Sequence, residues 1–137
     1  MVSGPQPEKP MTALDLLQKA VDYGVGLLQF ADNLPLEKLS QGELDEVSEF
    51  ARTNNIDLEV GTKGIEEGHL RRMLEIAQQF SSPILRILPA FFGSSAVMKE
   101  VEGVIRTILP DFEEAGVSLV LENTEAFRAE EYVALLD

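Results

Sequence analysis

The 137 residues include 24 acidic and 11 basic side chains, a formal charge of −13, with 45% hydrophobic and 26% charged residues. That is the make-up of a globular domain with one core, and the acidic surplus excludes a surface built to neutralise nucleic-acid phosphates. No apolar run approaches the ~20 residues of a membrane span, and the absence of cysteine excludes disulfides and thiolate metal sites, as suits the cytoplasm.

Met1 to Pro10 hold three prolines and one glycine and read as a loop. Thr12 then caps a helix whose apolar face carries Leu14, Leu17, Ala20 and Val21, and Gly24 stops it. Val25 to Ala31 reads as a strand, followed by a loop at Asp32-Asn33-Leu34-Pro35. Ser40-Gln41-Gly42-Glu43 is a capping-box pattern, and the helix it opens buries Leu44, Val47, Phe50 and Ala51 before Asn54-Asn55 end it. Ile56 to Val60 is the second strand and Gly61-Thr62-Lys63-Gly64 a loop. Glu66 to Phe80 follows as a helix with Leu70, Met73, Leu74 and Ala77 inward. Ile84 to Leu88 is the third strand, and Pro89 to Ser94 a loop. A long helix from Ser95 to Ala115 buries Val97, Val101, Val104, Ile105 and Ile108, with a kink expected at Pro110. Gly116 caps it, Val117 to Glu122 is the fourth strand, and a last helix begins at Glu130.

Strand starts at Val25, Ile56, Ile84 and Val117 fall 31, 28 and 33 residues apart, the period of one strand plus one helix. Links from helix to strand are very short, whereas the links from strand to helix are longer and carry Gly, Pro, Asn, Lys or aromatic residues. A (β/α) barrel has this asymmetry, because its functional loops follow its strands. An open, doubly wound four-stranded parallel α/β sheet has similar spacing and is the structural alternative.

Polar residues inside the strands favour the barrel. Gln29, Glu59, Arg86 and Glu122 interrupt otherwise apolar strands or end them. Under a helix, each would be costly unless paired; in a barrel they converge on the upper, water-reachable lumen. Glu59 and Arg86 sit on adjacent strands and could pair there, as a structural ion pair that is compatible with substrate contact; with Gln29 they are the substrate-binding candidates of the strands. Alternation along the fourth strand sends Ser118, Val120 and Glu122 to the lumen and Val117, Leu119 and Leu121 to the helices. Glu122 itself reads either as the first solvated residue of a loop or as a functional carboxylate at a strand end. A complete eightfold barrel needs ~250 residues. The expectation is therefore a partial (β/α)8 TIM barrel over residues 11–137, about strands two to five, truncated at both ends, behind a loop at 1–10.

The run Leu119-Val120-Leu121-Glu122-Asn123-Thr124, preceded by Phe112-Glu113-Glu114-Ala115-Gly116-Val117, resembles the fifth-strand region of the xylose-isomerase-like TIM barrels. Leu28-Gln29-Phe30-Ala31-Asp32-Asn33 and Leu58-Glu59-Val60-Gly61-Thr62 resemble the second and third strands of their sugar isomerase branch. The resemblance implies that Glu122 is a divalent-metal ligand (Mn, Mg or Zn) and a catalytic acid or base. It also implies a sugar or sugar-phosphate isomerase or epimerase that moves a proton between adjacent carbons. The remaining ligands in such enzymes come from later strands, so this chain alone is expected to be inactive and to hold no metal firmly.

Lys63, placed after a strand, is a candidate for a phosphate or sugar hydroxyl, or is simply solvated. His69, between the acidic start of its helix and Arg71-Arg72, reads as a surface residue. Phe91-Phe92 suit either a lid on a sugar face or a plug of the barrel top. Glu43, Glu66 and Glu67 read as partners of helix dipoles. Two other functions stand beside the isomerase. One is a non-catalytic half-barrel that binds a ligand or self-associates through its exposed strand edges. The other is a DNA-repair nuclease of the same superfamily, which the acidic charge and single histidine disfavour.

Overall fold

Capping chemistry at both ends of the helices sets the frame of the fold. A computed structural model of the chain describes residues 9–89, 95–125 and 127–136, the side chains of residues 95–97 excepted. Phe91-Phe92, most of the loop at 1–10 and the Val97 side chain lie outside the described residues. The elements run α1 (Ala13–Asp22), β1 (Leu27–Phe30), a 3₁₀ turn (Leu36–Lys38), α2 (Gln41–Thr53), β2 (Asp57–Lys63), α3 (Glu67–Gln79) and β3 (Ile84–Leu88). They end with α4 (Ser95–Ala115), β4 (Ser118–Leu121) and α5 (Ala129–Leu136).

Thr12 and Ser40 each accept from the backbone three residues on, and Asp15 and Glu43 return the bond, completing a capping box at α1 and at α2. Glu66 is more than a dipole partner: its carboxylate caps α3, accepting from the Gly68 and His69 amides at 3.0 and 2.7 Å.

All four of the first helices end on one motif. A residue in the left-handed region follows each: Gly24 (φ 67°), Asn55 (53°), Ser81 (54°) and Gly116 (67°). The next amide reaches back to close the last turn, as Val25 does to the Ala20 carbonyl (2.8 Å) and Val117 to that of Phe112 (3.1 Å). This explains the short links into the strands. It also shortens β1 relative to expectation, since the Val25 amide is spent on the helix and pairing starts at Leu27. The α4 helix continues through Pro110 without interruption, although proline cannot donate to the Arg106 carbonyl.

Among the described residues the sheet has four parallel strands in the order β1-β2-β3-β4. Right-handed crossovers between sequential neighbours place every connecting helix on the same face. Burial agrees. Phe30, Leu58, Val60, Leu85 and Ile87 join Leu17, Leu44, Val47, Leu70, Met73, Ile108 and Phe112 in one core, with Leu28, Leu119 and Leu121 at its margin. The other face carries no layer of described residues, and there Leu27 is 50% and Val120 36% exposed. A doubly wound sheet would cover both faces. The architecture is therefore a partial (β/α)8 barrel, with helices on one face of the sheet and no layer of described residues on the other.

The second strand is longer than its apolar core suggests. Asp57 to Lys63 all belong to β2, so Gly61, Thr62 and Lys63 are strand residues and not a loop. Leu58, Val60 and Thr62 alternate inward, and Thr62 is 5% exposed. Pairing with Leu85 to Leu88 of β3 holds this second half of the strand.

Candidate functional site

Polar side chains line the helix-free face: Arg86 and Glu122 approach the C-terminal ends of their strands, where barrels keep their chemistry, and Glu59 lies in the first half of β2. Register decides which of them meet. Gln29 stands opposite Glu59, and its amide Nε2 donates to the Glu59 carboxylate at 2.9 Å. Arg86 stands opposite Gly61 on one side and Val120 on the other, two residues nearer the strand ends than Glu59. Its Nη1 donates to Oε2 of Glu122, two residues beyond Val120 and just past the end of β4, in an ion pair whose side chains are 24% and 37% exposed. The expected Glu59–Arg86 pair is therefore corrected: stagger brings each to a different partner.

Glu122 is anchored on both sides. Its amide donates to the Ile87 carbonyl at 2.9 Å, extending the β3–β4 ladder by one bond. From α5, the Tyr132 hydroxyl accepts from the Thr124 amide at 3.1 Å and donates to the Glu122 carbonyl at 3.4 Å. Phe127 meets the Tyr132 ring edge-on, with centroids 5.8 Å apart. Tyr132 thus ties the loop after β4, a role that a lone aromatic in a short helix did not announce.

Lys63 lies at the exposed end of β2, level with Leu88. It borders a hollow of about 280 Å³ that Asp32, Glu37 and Lys38 also line, so the cation there has acidic company. His69 is not a free surface residue. Its Nε2 shares a 2.7 Å hydrogen bond with the Thr62 hydroxyl, which pins the start of α3 to the end of β2. The same backbone bonds from Gly68 and His69 hold the Glu66 carboxyl below its usual range.

The divalent ion implied by the resemblance finds no cage here. Among the described residues no three Asp, Glu or His side chains lie close enough to share an ion, and Glu122 is engaged by a guanidinium. One carboxylate is too few for a hard cation. The donor set of the described residues does not fit the metal.

Solved structures share this fold. A xylose isomerase domain protein from Planctomyces limnophilus superposes with a TM-score of 0.70 at 12% identity, and a D-psicose 3-epimerase crystallised with D-fructose with 0.72 at 16%. The chain shares with both the fold of a (β/α)8 barrel, of which it forms part. Each superposition covers 88% of this chain and 52% of the other, as four strands of an eight-stranded barrel would. In sequence, a 3-oxo-isoapionate decarboxylase of Pectobacterium atrosepticum is 28% identical over 128 residues, 93% of this chain and 46% of the relative. The chain therefore spans about half the length of the proteins it matches. No family model matches it.

Proposed function

We propose that the chain forms part of an enzyme acting on a small sugar-derived substrate, a sugar or sugar phosphate, by proton transfer between adjacent carbons. The observation that carries this reading is the Arg86–Glu122 pair at the strand ends of the helix-free face. Glu122 is the base: its carboxylate takes the proton from the carbon next to a carbonyl, and the electron pair moves onto the carbonyl oxygen. Returning the proton to the former carbonyl carbon, while the neighbouring hydroxyl passes its proton to the oxyanion and becomes the new carbonyl, isomerises the sugar; delivery to the opposite face of the same carbon epimerises it. Arg86 holds the carboxylate in place and puts positive charge beside the forming oxyanion. Gln29 and Glu59 offer a donor and an acceptor to substrate hydroxyls, and Lys63 is the candidate for a phosphate.

A second reading follows from the sequence match to a decarboxylase. Decarboxylation of a 3-oxo acid breaks a carbon–carbon bond in place of a carbon–hydrogen bond, releases CO₂, and leaves the same kind of oxyanion. Arg86 would then also serve as counter-ion to the departing carboxylate.

One experiment separates the two. The chain is assayed in a barrel completed by the strands that the relatives carry beyond the matched region, in D₂O, with a ketohexose and with a 3-oxo sugar acid. Deuterium appearing next to the ketohexose carbonyl supports the isomerase or epimerase. Release of CO₂ from the acid, with no deuterium in the ketohexose, supports the decarboxylase. Neither product would refute both.

A further inference from the structure

The Arg86–Glu122 pair spans β3 and β4, yet its geometry depends on a β2 residue without a side chain. Gly61 stands opposite Arg86 in the parallel ladder. A Cβ placed on Gly61 would lie 3.1 Å from Nη2 and 3.2 Å from Nε of Arg86, and 2.9 Å from the Phe30 carbonyl oxygen. The guanidinium is thus pressed against bare backbone. Its Nε is buried there without a hydrogen-bond partner among the described residues, an arrangement that an unconstrained arginine would avoid. From the same group, Nη1 reaches Glu122.

The backbone does not demand glycine at this point. Gly24, Gly64 and Gly116 have positive φ, and Gly61 does not. What glycine supplies is space. Of the two neighbours that a Cβ would crowd, the Phe30 carbonyl is backbone beside a paired strand and has little room to yield. The guanidinium ends a flexible side chain and can move.

We propose that Gly61 is a positioning residue of the candidate site: by leaving its Cβ position empty, it seats the Arg86 guanidinium flat across the sheet and so fixes where the Glu122 carboxylate is held. Any side chain at position 61 pushes the guanidinium toward the open side of the sheet and releases Glu122. The proposal rests on the reading of Arg86 and Glu122 as working groups. Its test observes the pair itself, so a failure of the positioning and a failure of the proposed chemistry are told apart.

The measurement is NMR of the arginine Nε–H groups in the 137-residue chain. In the unsubstituted protein the buried Arg86 Nε–H is expected to exchange with water roughly tenfold or more slower than those of exposed Arg52 and Arg106. In Gly61→Ala that protection is lost, while Arg71 Nε, bonded to Asp111 at the α3–α4 contact, keeps its own exchange rate. A Gly61 needed only for strand packing would lower Tm and leave Arg86 protected, which would overturn the proposal. So would fast exchange of Arg86 in the unsubstituted chain. Because Gly61→Ala also crowds Phe30, it is repeated in an Arg86→Met background. The fall in Tm caused by the alanine should shrink there, since no guanidinium has to move. An equal fall in both backgrounds, or unfolding in both, would place the conflict at Phe30 alone and refute the idea.

Discussion

Two glycines bracket the second half of α4 and invite the same substitution with opposite outcomes. Gly103 lies inside the helix and Gly116 just after it, and a Cβ added at either meets nothing within 4 Å. Packing therefore drops out, and only backbone conformation remains. At Gly103 alanine removes the entropy penalty of a helical glycine, a gain of roughly 0.5–1 kcal/mol. At Gly116 the φ of 67° belongs to the left-handed region, where a Cβ costs about 1–2 kcal/mol. The two variants should therefore differ by about 2 kcal/mol, or ~5–10 °C in Tm for a domain of this size. Thermal melts followed by circular dichroism, with urea titrations to check that the m value is unchanged, measure the gap. Shifts in the same direction would refute the assignment of Gly116 as the cap that turns α4 into β4.

Other predictions follow from the same physics. Ser81 occupies the cap position of α3 at φ 54°, so Ser81→Gly should raise stability by ~1 kcal/mol, read from the urea midpoint. Asp15, Glu43 and Glu66 have carboxyls held below their ordinary values of 3.8, 4.5 and 4.5, chiefly by backbone hydrogen bonds at helix starts. Their stabilisation is present above the ordinary carboxylate range and lost as pH falls through the lowered values; Glu43→Gln, which removes the titrating carboxylate of one box, should flatten that acid limb, and an unchanged limb would disprove the role of the box. Eight of the nine large exposed hydrophobics among the described residues lie on or next to the two edge strands and their neighbouring helices in sequence. These are Met11, Val21, Tyr23, Val25 and Leu27 from just before α1 to β1, and Val120, Val133 and Leu136 on β4 and α5. The isolated chain should therefore self-associate in sedimentation, and a monomer at all concentrations would contradict the barrel reading.

Much of the fold was legible because its signals are local. The capping pattern at Ser40, the left-handed glycines at 24 and 116 and the even strand spacing need no tertiary knowledge. The identical cap at Ser81 was not legible, since serine seldom adopts that conformation and only the packed turn imposes it. The end of β2 was misjudged because Gly61 resembles a turn residue. The alternation of Leu58, Val60 and Thr62 against Asp57, Glu59 and Lys63 was the available signal. For the site, alternation named the lumen face of β4 correctly, with Ser118 and Val120 exposed and Leu119 and Leu121 against the core. Which charges pair could not be read, because the β2–β3 stagger joins Arg86 to Glu122 and leaves Glu59 to Gln29.

Glu122→Gln tests the central claim most directly. The structure gives Glu122 a guanidinium partner, so its replacement is expected to cost about 1 kcal/mol of stability and no more, because glutamine keeps an acceptor oxygen for Arg86. As the group that moves the proton, its loss should lower kcat by roughly 10²–10⁴-fold in the completed barrel. The account predicts that turnover collapses while Tm falls by only a few degrees. A glutamine variant with full turnover would remove Glu122 from the chemistry and contradict it.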